Sequence, residues 1–372
     1  MTRIVMLVDL DYFFAQLEEI RDPSIKDKPV VVCAYSGRTP DSGAVSTANY
    51  KAREYSVKSG IPIYQAKRKL ENVDAIFLPV DEVYYGGASE KIMDLLRKHA
   101  NSFEQVGIDE AFLDVTQKTD CDFQKARSYA QEIKNDLKAQ QGLTCSIGVG
   151  PNKLVAKIAA DFQKPDGLTV VTSEQVTSFL APMPVSRLIG VGIKTTEKMK
   201  TLGINTVEDL AKYDVQKLVS TFGKNIGTYF HYAALGIDNE PVQEKGEVES
   251  ISRISTLKEN TDDMNLITEK TDQLCAEIHT EILQQSKKFK TITIIAIMTD
   301  LTTKSKSKTL DNPTDDLEML KTTVKELFQE YLQESTLEVR RVGVKISNFS
   351  KEQKTQKQIT SFFNKQIKED DI

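Results

Sequence analysis

The chain of 372 residues predicts an α+β protein of several domains, in which two units of βαββαβ order flank a mostly helical segment. Three observations carry this. Hydrophobic spacing alternates between period 2 and period 3.6 in the same order twice, once before Gly167 and once after Ser250. The stretch between, from Val176 to about Leu235, keeps helical spacing broken by glycine-punctuated turns at Gly190 to Gly192 and Gly223 to Gly227. The length itself points to two to four cores rather than one.

In the first unit, the apolar β-formers from Arg3 to Val8 predict a buried strand, and Phe13 to Ile20 switches at once to a helix with Phe13, Leu17 and Ile20 on one side. Pro29 to Cys33 predicts a second strand, SGRTPDSG a turn and Ala48 to Val57 a helix. A helix over Ser89 to Ala100 follows, then short strands at Gln105 to Ile108 and Ala111 to Val115 on either side of Asp109 and Glu110. A helix over Phe123 to Gln140 and a strand in TCSIGVG complete the order. That order is the signature of an antiparallel sheet with helices on one face.

Asp238 to Glu249 has proline, glycine and five acids with almost no apolar residues, so it predicts an exposed linker. In the second unit, strands are predicted at Ile251–Leu257, Thr291–Met298, Thr302–Leu310 and Leu337–Ser347, with helices at Met264–Gln285 and Leu317–Leu332. The polar residues Lys351 to Ile372 predict a flexible tail.

Bulk composition excludes several classes. No apolar run is long enough for a membrane span and the N-terminus is not a signal peptide, so the expectation is a cytoplasmic protein with no membrane partner. Cys33, Cys121, Cys145 and Cys275 lack any C-x-x-C spacing and read as buried thiols. His99, His231 and His279 are isolated, which argues against zinc and against histidine catalysis. The net charge of -5 means that any DNA-binding charge must be local.

Asp9 ends an apolar strand, and Asp109 and Glu110 sit where one β-like run gives way to another. Carboxylates taken partly out of water cost several kcal/mol unless a cation offsets them, and hard divalent ions accept such oxygen ligands. Two ions about 3.5 to 4 Å apart would activate an attacking hydroxyl and stabilise a leaving pyrophosphate. Each acid alone could merely cap a helix or sit in a turn. By strand parity Asp9 and Asp11 share a face, so spacing nominates both.

The segments around these acids, VDLDYFFAQLEE, SGAVSTANYKAREYSVKSGIP, GIDEAFLDVT, SIGVGPNKLVAKIAADFQKPDG and RRVGVKIS, together closely resemble the Y-family DNA polymerases of the archaeal DinB type, in family order from Met1 to about Ser350. The resemblance implies a right-hand polymerase: a βαββαβ palm (1–18 and 78–167), small fingers (19–77), a helical thumb with a helix-hairpin-helix (168–236), a linker (237–249), a βαββαβ little finger (250–350) and a tail (351–372). It implies that Asp9, Asp109 and Glu110, with the Leu10 carbonyl, hold two Mg2+ ions, with Mn2+ as a substitute, and that Asp11 is not a ligand. The implied activity is low-fidelity, translesion, template-directed addition of dNMP to a primer 3′-hydroxyl without proofreading, by a monomer on primer-template DNA that is nucleoid-associated when bound.

For the incoming dNTP, Thr47, Tyr50 and Arg53 follow the i, i+3, i+6 spacing of one helix face and match the family's triphosphate contacts, as does Lys164 in QKPDG. A solvated helix face is the plainer reading of the first three. Tyr12 matches a position whose backbone amide meets the triphosphate, and Ala44 and Ser46 match small residues roofing the nascent base pair. Phe14 matches the steric gate that excludes a ribose 2′-hydroxyl; its plainer reading is a core aromatic of an amphipathic helix.

Three features extend beyond the pocket. LIGVGIKTTEKMKTLGI resembles a helix-hairpin-helix, with Gly190 and Gly192 in the turn, Ile189 where many relatives carry proline, and a simple interhelical turn as the alternative. Lys304, Lys306 and Lys308 alternate along one strand, and Arg340 and Arg341, with Lys345, extend a basic side of a domain that counts 14 basic and 18 acidic residues over 246–350. A lysine-protected edge strand would look the same. In the tail, Gln356, Ile359, Phe362 and Phe363 fit the Q-x-x-I-x-x-F-F pattern of sliding-clamp (PCNA) peptides. The rival readings are a nucleotidyl cyclase, which needs none of these three features, and a clamp-tethered DNA-binding scaffold without catalysis, which would not need the acids.

Overall fold

The computed structural model describes residues 3–244 and 246–351, which group into two compact units, one of the described residues up to 34 and from 44 to 246, the other of residues 35–43 with the described residues from 247 on. In the first unit the elements run β1 (Val5–Leu10), α1 (Phe13–Arg21), β2 (Val30–Tyr35), β3 (Gly43–Ala48), α2 (Tyr50–Glu54), α3 (Ile63–Lys69), β4 (Ile76–Pro79), α4 (Glu82–Lys98), β5 (Ser102–Gln105), β6 (Glu110–Asp114), α5 (Phe123–Gln141), β7 (Cys145–Gly150), α6 (Lys153–Ala160) and β8 (Leu168–Val170). Helices α7 (Val176–Leu180), α8 (Ile193–Thr201), α9 (Val207–Lys212), α10 (Val215–Phe222) and α11 (Lys224–Ala234) complete it.

The main sheet has the order β5-β6-β1-β7-β8, antiparallel except where β8 joins β7 in parallel. Alternation along β1 divides its side chains. Ile4, Met6, Val8 and Leu10 enter a large core with α1, α4 and α5, whereas Val5 and Leu7 point the other way, onto Phe112 and onto Ala156 and Ala160 of α6. Helices therefore cover both faces, and the expectation of one covered face is corrected. The signal lay in β7: a methyl group at Gly148 would sit 2.0 Å from the Ala156 carbonyl oxygen, so α6 packs against bare backbone there.

Two further expectations change. The strand at Gln105–Ile108 lies earlier, at Ser102–Gln105, because the chain turns at Gly107 to bring Asp109 and Glu110 round. The segment expected as exposed linker is tied down in its first half. Val242 is buried beside Val5 and Leu7, Arg3 donates to the Asp238 and Glu240 carbonyls, and Lys153 pairs with Glu240.

A small sheet, β3-β2-β4, carries its own core of Val31, Val45, Ala52 and Ile63. Cys33, Cys145 and Cys275 are buried, and Cys121 is partly buried. Among the described residues no helix is long and apolar enough to cross a membrane.

The second unit matches its predicted order, with β9 (Ser250–Thr261), α12 (Met264–Gln284), β10 (Lys287–Met298), β11 (Thr303–Thr314), α13 (Leu317–Glu334) and β12 (Val339–Ser347), plus a two-residue β13 (Ser350–Lys351) paired with β10. Its sheet is antiparallel in the order β11-β10-β12-β9. Ile292, Ile294, Val342, Val344 and Ile346 face α12 and α13 across a continuous core.

Candidate active site

The three acids converge at one end of the main sheet. Asp9, the fifth residue of β1, is the direct cross-strand partner of Glu110, the first residue of β6. Asp109 is held beside them because its carbonyl accepts the Leu10 N–H at 2.9 Å. A methyl group at Gly107 would lie 3.1 Å from Asp109 Oδ1 and 3.1 Å from Glu110 Cγ, so the glycine leaves both carboxylates room to fold inward.

Two lysines meet this charge. Lys164 Nζ lies 2.8 Å from Asp9 Oδ2 and 2.8 Å from Asp161, and Lys157 of α6 lies 2.5 Å from Glu110 Oε2. Lys157 was not singled out from the sequence. Its signal was its place on a helix whose other side packs on the sheet.

Burial pushes the Asp9 carboxyl up to about 6; the Lys164 ammonium opposes that shift, and the Asp109 and Glu110 carboxylates add to it. Asp109 is raised for the same reasons, burial first and Glu110 second. Such carboxylates are short of positive charge, and an all-oxygen donor set suits a hard divalent cation. Among the described residues no three potential ligands already close around one point. Asp9 pairs with Lys164 and Glu110 with Lys157.

A carboxyl that holds its proton more tightly when folded than when unfolded penalises the native state as pH climbs from about 4 to about 6, and the penalty stays above that range. With the Asp9 pKa moved from 3.8 to about 6, the penalty is at most about 3 kcal/mol near neutral pH. Asp9→Asn is therefore expected to raise the melting temperature in chelator at pH 7.5, and to lose that advantage at pH 4. Equal melting of variant and wild type at both pH values would show that Asp9 is not strained by its surroundings.

Asp11 separates from Asp9 in its surroundings. The chain leaves the strand at Leu10, and the Asp11 side chain is buried among Thr144, Ser146 and the Asp166 N–H.

On the other side of Asp9, Tyr12 has φ 36°, a strained left-handed conformation for a bulky residue, and it opens α1 without a side-chain cap. The N–H groups of the first turn of α1 are thereby left for another acceptor. The Tyr50 ring meets the Tyr12 ring edge-on at 5.5 Å, and the Arg53 guanidinium stands 4.6 Å from the centre of the Tyr50 ring. Tyr50 and Arg53 lie on α2 as expected, but Thr47, with Ala44 and Ser46, lies on β3, because Asn49 caps α2 by accepting the Ala52 N–H. The single helix face inferred for Thr47, Tyr50 and Arg53 is thus a strand end followed by a helix. Phe14 is partly buried and stacks on Tyr85, with ring centres 4.3 Å apart.

Gly190, at φ 82°, and Gly192, which opens α8, form the turn expected between helices, exposed to solvent. In the second unit, Lys304, Lys306 and Lys308 do share a face, but it is the helix-covered one. Lys306 pairs with Glu330 and Glu334, and Lys308 with Glu326 of α13, so the basic stripe is largely neutralised. The opposite face presents Thr291, Thr293, Ser305, Ser307 and Thr309, with Arg341 and Lys345 on the neighbouring strand; Arg340 is partly buried beside them. Gln356, Ile359, Phe362 and Phe363 lie outside the described residues.

Acidic strand ends on a sheet covered on both faces, beside lysines and a helix start with no side-chain cap, are the surroundings a palm-type nucleotidyl transferase would need. The impB/mucB/samB family model matches residues 8–161, the C-terminal domain model of that family matches 248–361, and a DNA polymerase-iota thumb domain matches 186–238. The chain is 47% identical to DNA polymerase IV of Nitrosopumilus maritimus, over 97% of this chain and 100% of that protein, and 38% identical to DNA polymerase IV of Saccharolobus solfataricus, over 93% and 96%. Among solved structures, a Y-family DNA polymerase chimera containing Dbh superposes with a TM-score of 0.88 at 37% identity, covering 94% of this chain and 99% of the chimera. An insertion ternary complex of Dbh DNA polymerase gives 0.68, also at 37% identity, with the same coverage. The chain belongs to the DinB-type, archaeal branch of the Y-family DNA polymerases.

Proposed function

We propose that the chain performs translesion synthesis, adding dNMP to a primer 3′-hydroxyl opposite a template, with low fidelity and no proofreading. The observation that carries this reading is the convergence of Asp9, Asp109 and Glu110 beside Lys164 and the Tyr12–Tyr50–Arg53 cluster. Family membership brings dependence on a divalent metal and the use of primer-template DNA and dNTP. Mg2+ is the ion proposed, with Asp9, Asp109, Glu110 and the Leu10 carbonyl as its ligands and Mn2+ as a substitute. When bound, the ions lower the pKa of the primer hydroxyl and neutralise the triphosphate.

The chain's own residues do the rest. Arg53 supplies a forked cation and Lys164 a point charge to the phosphates; Thr47 and Tyr50 add hydroxyls. The uncapped N–H groups after Tyr12 form an anion site at a helix start. Phe14 closes the space beside the sugar, and Ala44 and Ser46 leave the base-pair roof small, which admits damaged templates and rejects mispairs weakly. The palm is assigned to 1–18 and 78–167, the fingers to 19–77, the thumb to 168–236, the linker to 237–249 and the little finger to 250–350.

Duplex DNA is held through the amides near Gly190 and Gly192 and through the hydroxyl-rich face of the little-finger sheet with Arg340 and Arg341; Lys304 adds to these, and Lys306 and Lys308 serve it only as their glutamates release them. The tail residues Gln356, Ile359, Phe362 and Phe363 engage a sliding clamp of the PCNA type. The working form is a cytoplasmic, nucleoid-associated monomer on DNA.

The test is primer extension with Mg2+ and all four dNTPs on undamaged and abasic templates. Extension across the lesion is expected. A protein that binds primer-template and extends neither template would be a scaffold, not a polymerase.

A further inference from the structure

The triphosphate lysine, Lys164, stands on a turn whose shape is fixed from beneath. Asp166, two residues on, has φ 53°, and a methyl group at Gly167 would lie 1.8 Å from the Gln163 carbonyl oxygen. This geometry is held by two buried charged side chains that the catalytic reading leaves unused. Asp11, only 1% exposed, accepts the Asp166 N–H at 2.9 Å on Oδ2, which also accepts from Thr144 Oγ1 at 2.9 Å, while its Oδ1 accepts from Ser146 Oγ at 2.7 Å. From the other side Lys134 of α5 donates to Asp166 Oδ1 at 2.6 Å, to the Gly167 carbonyl at 3.2 Å and to the Cys145 carbonyl at 2.7 Å.

A purely structural role would be to dock β8 on β7. Those strands are already joined by their own backbone pairing, and the Ile147 N–H reaches the Gly167 carbonyl at 3.0 Å. Besides tying Thr144, Cys145, Ser146 and Gly167, the two charges grip Asp166, upstream of the strand, and that bond bears on where the chain presents Lys164. A buried charge is retained at a cost that only full pairing offsets, which fits a demand for geometry rather than adhesion.

We propose that Asp11 and Lys134 are positioning residues that clamp the 164–167 turn and thereby set the reach of Lys164 toward the nucleotide triphosphate. The inference rests on the reading of Lys164 as a triphosphate contact. Asp11→Asn keeps the side chain's size but removes the charge and leaves one acceptor oxygen where the Asp166 N–H, Thr144 Oγ1 and Ser146 Oγ now share two. In single-turnover insertion on primer-template it is expected to raise the apparent Kd for dNTP about tenfold or more, with primer-template Kd and melting temperature close to wild type. Lys164→Ala should weaken dNTP binding at least as much, and the double variant should be no worse than Lys164→Ala alone.

Multiplied effects in the double variant, or wild-type dNTP affinity in Asp11→Asn, would overturn the clamp while leaving the Lys164 reading intact. Wild-type dNTP affinity in Lys164→Ala would instead overturn that reading and the clamp with it. If Asp11→Asn does not fold, Asp166→Asn removes the Lys134 ion pair from the solvent side, and the same dNTP-selective loss is expected.

Discussion

Asp109→Ala is expected to bind primer-template within a few-fold of wild type and to add nucleotide at least roughly a thousandfold more slowly, about 4 kcal/mol of transition-state stabilisation. The loss is large because Asp109 is not a surface acid. Its backbone is tied to Leu10, its side chain folds into the space left by Gly107, and its carboxyl is already raised by burial and by Glu110. Removing it relieves that repulsion, so the variant is expected to melt no lower than wild type, and that melting result would remove a folding defect as the explanation. The pairing of unchanged stability with lost chemistry distinguishes a catalytic acid from a turn residue. Near-normal extension by Asp109→Ala would mean that the acids are structural and that the chemistry lies elsewhere.

Phe14→Ala is expected to cut discrimination between dNTP and rNTP by roughly a hundredfold to a thousandfold, chiefly by raising rNTP insertion. The ring is held flat against Tyr85, so it cannot swing aside for a 2′-hydroxyl without losing that stacking. Truncation also removes packing and should cost about 2 to 4 kcal/mol of stability, so the comparison is made between nucleotides on one variant. If Phe14 were only a core aromatic, insertion of both nucleotides would fall together. Parallel losses would therefore end the gate assignment.

Much of this architecture was legible because strong periodicity and capping coincided. Helix α5 runs from the Asp122 cap to Gly142 at φ 70°, and every helix and strand of the second βαββαβ unit was found within a few residues of its predicted bounds. Strands β3 and β4 and helix α3 were not read. GAVSTA alternates too weakly to declare a strand, and it becomes one through pairing with β2. Parity put the three little-finger lysines on one face, but parity cannot say which face a helix will cover, and α13 arrives with three glutamates. The same limit applied to Asp9 and Asp11, whose alternation ends where the strand does, at Leu10. The resemblance nominated Asp9, and the structure buries Asp11 among hydrogen-bond donors while leaving Asp9 beside Lys164.

On the proposed assignment of Asp9 to metal and Lys164 to triphosphate, their ion pair would make two binding events share one equilibrium. A cation that draws Asp9 away from Lys164 leaves an ammonium in want of an anion, and a triphosphate that draws the ammonium away leaves a carboxylate in want of a cation. Each ligand thus lowers the cost of admitting the other, and by thermodynamic reciprocity the factor is the same in both directions. Nucleotide affinity would then report metal supply, and neither ligand alone would find the site at full strength.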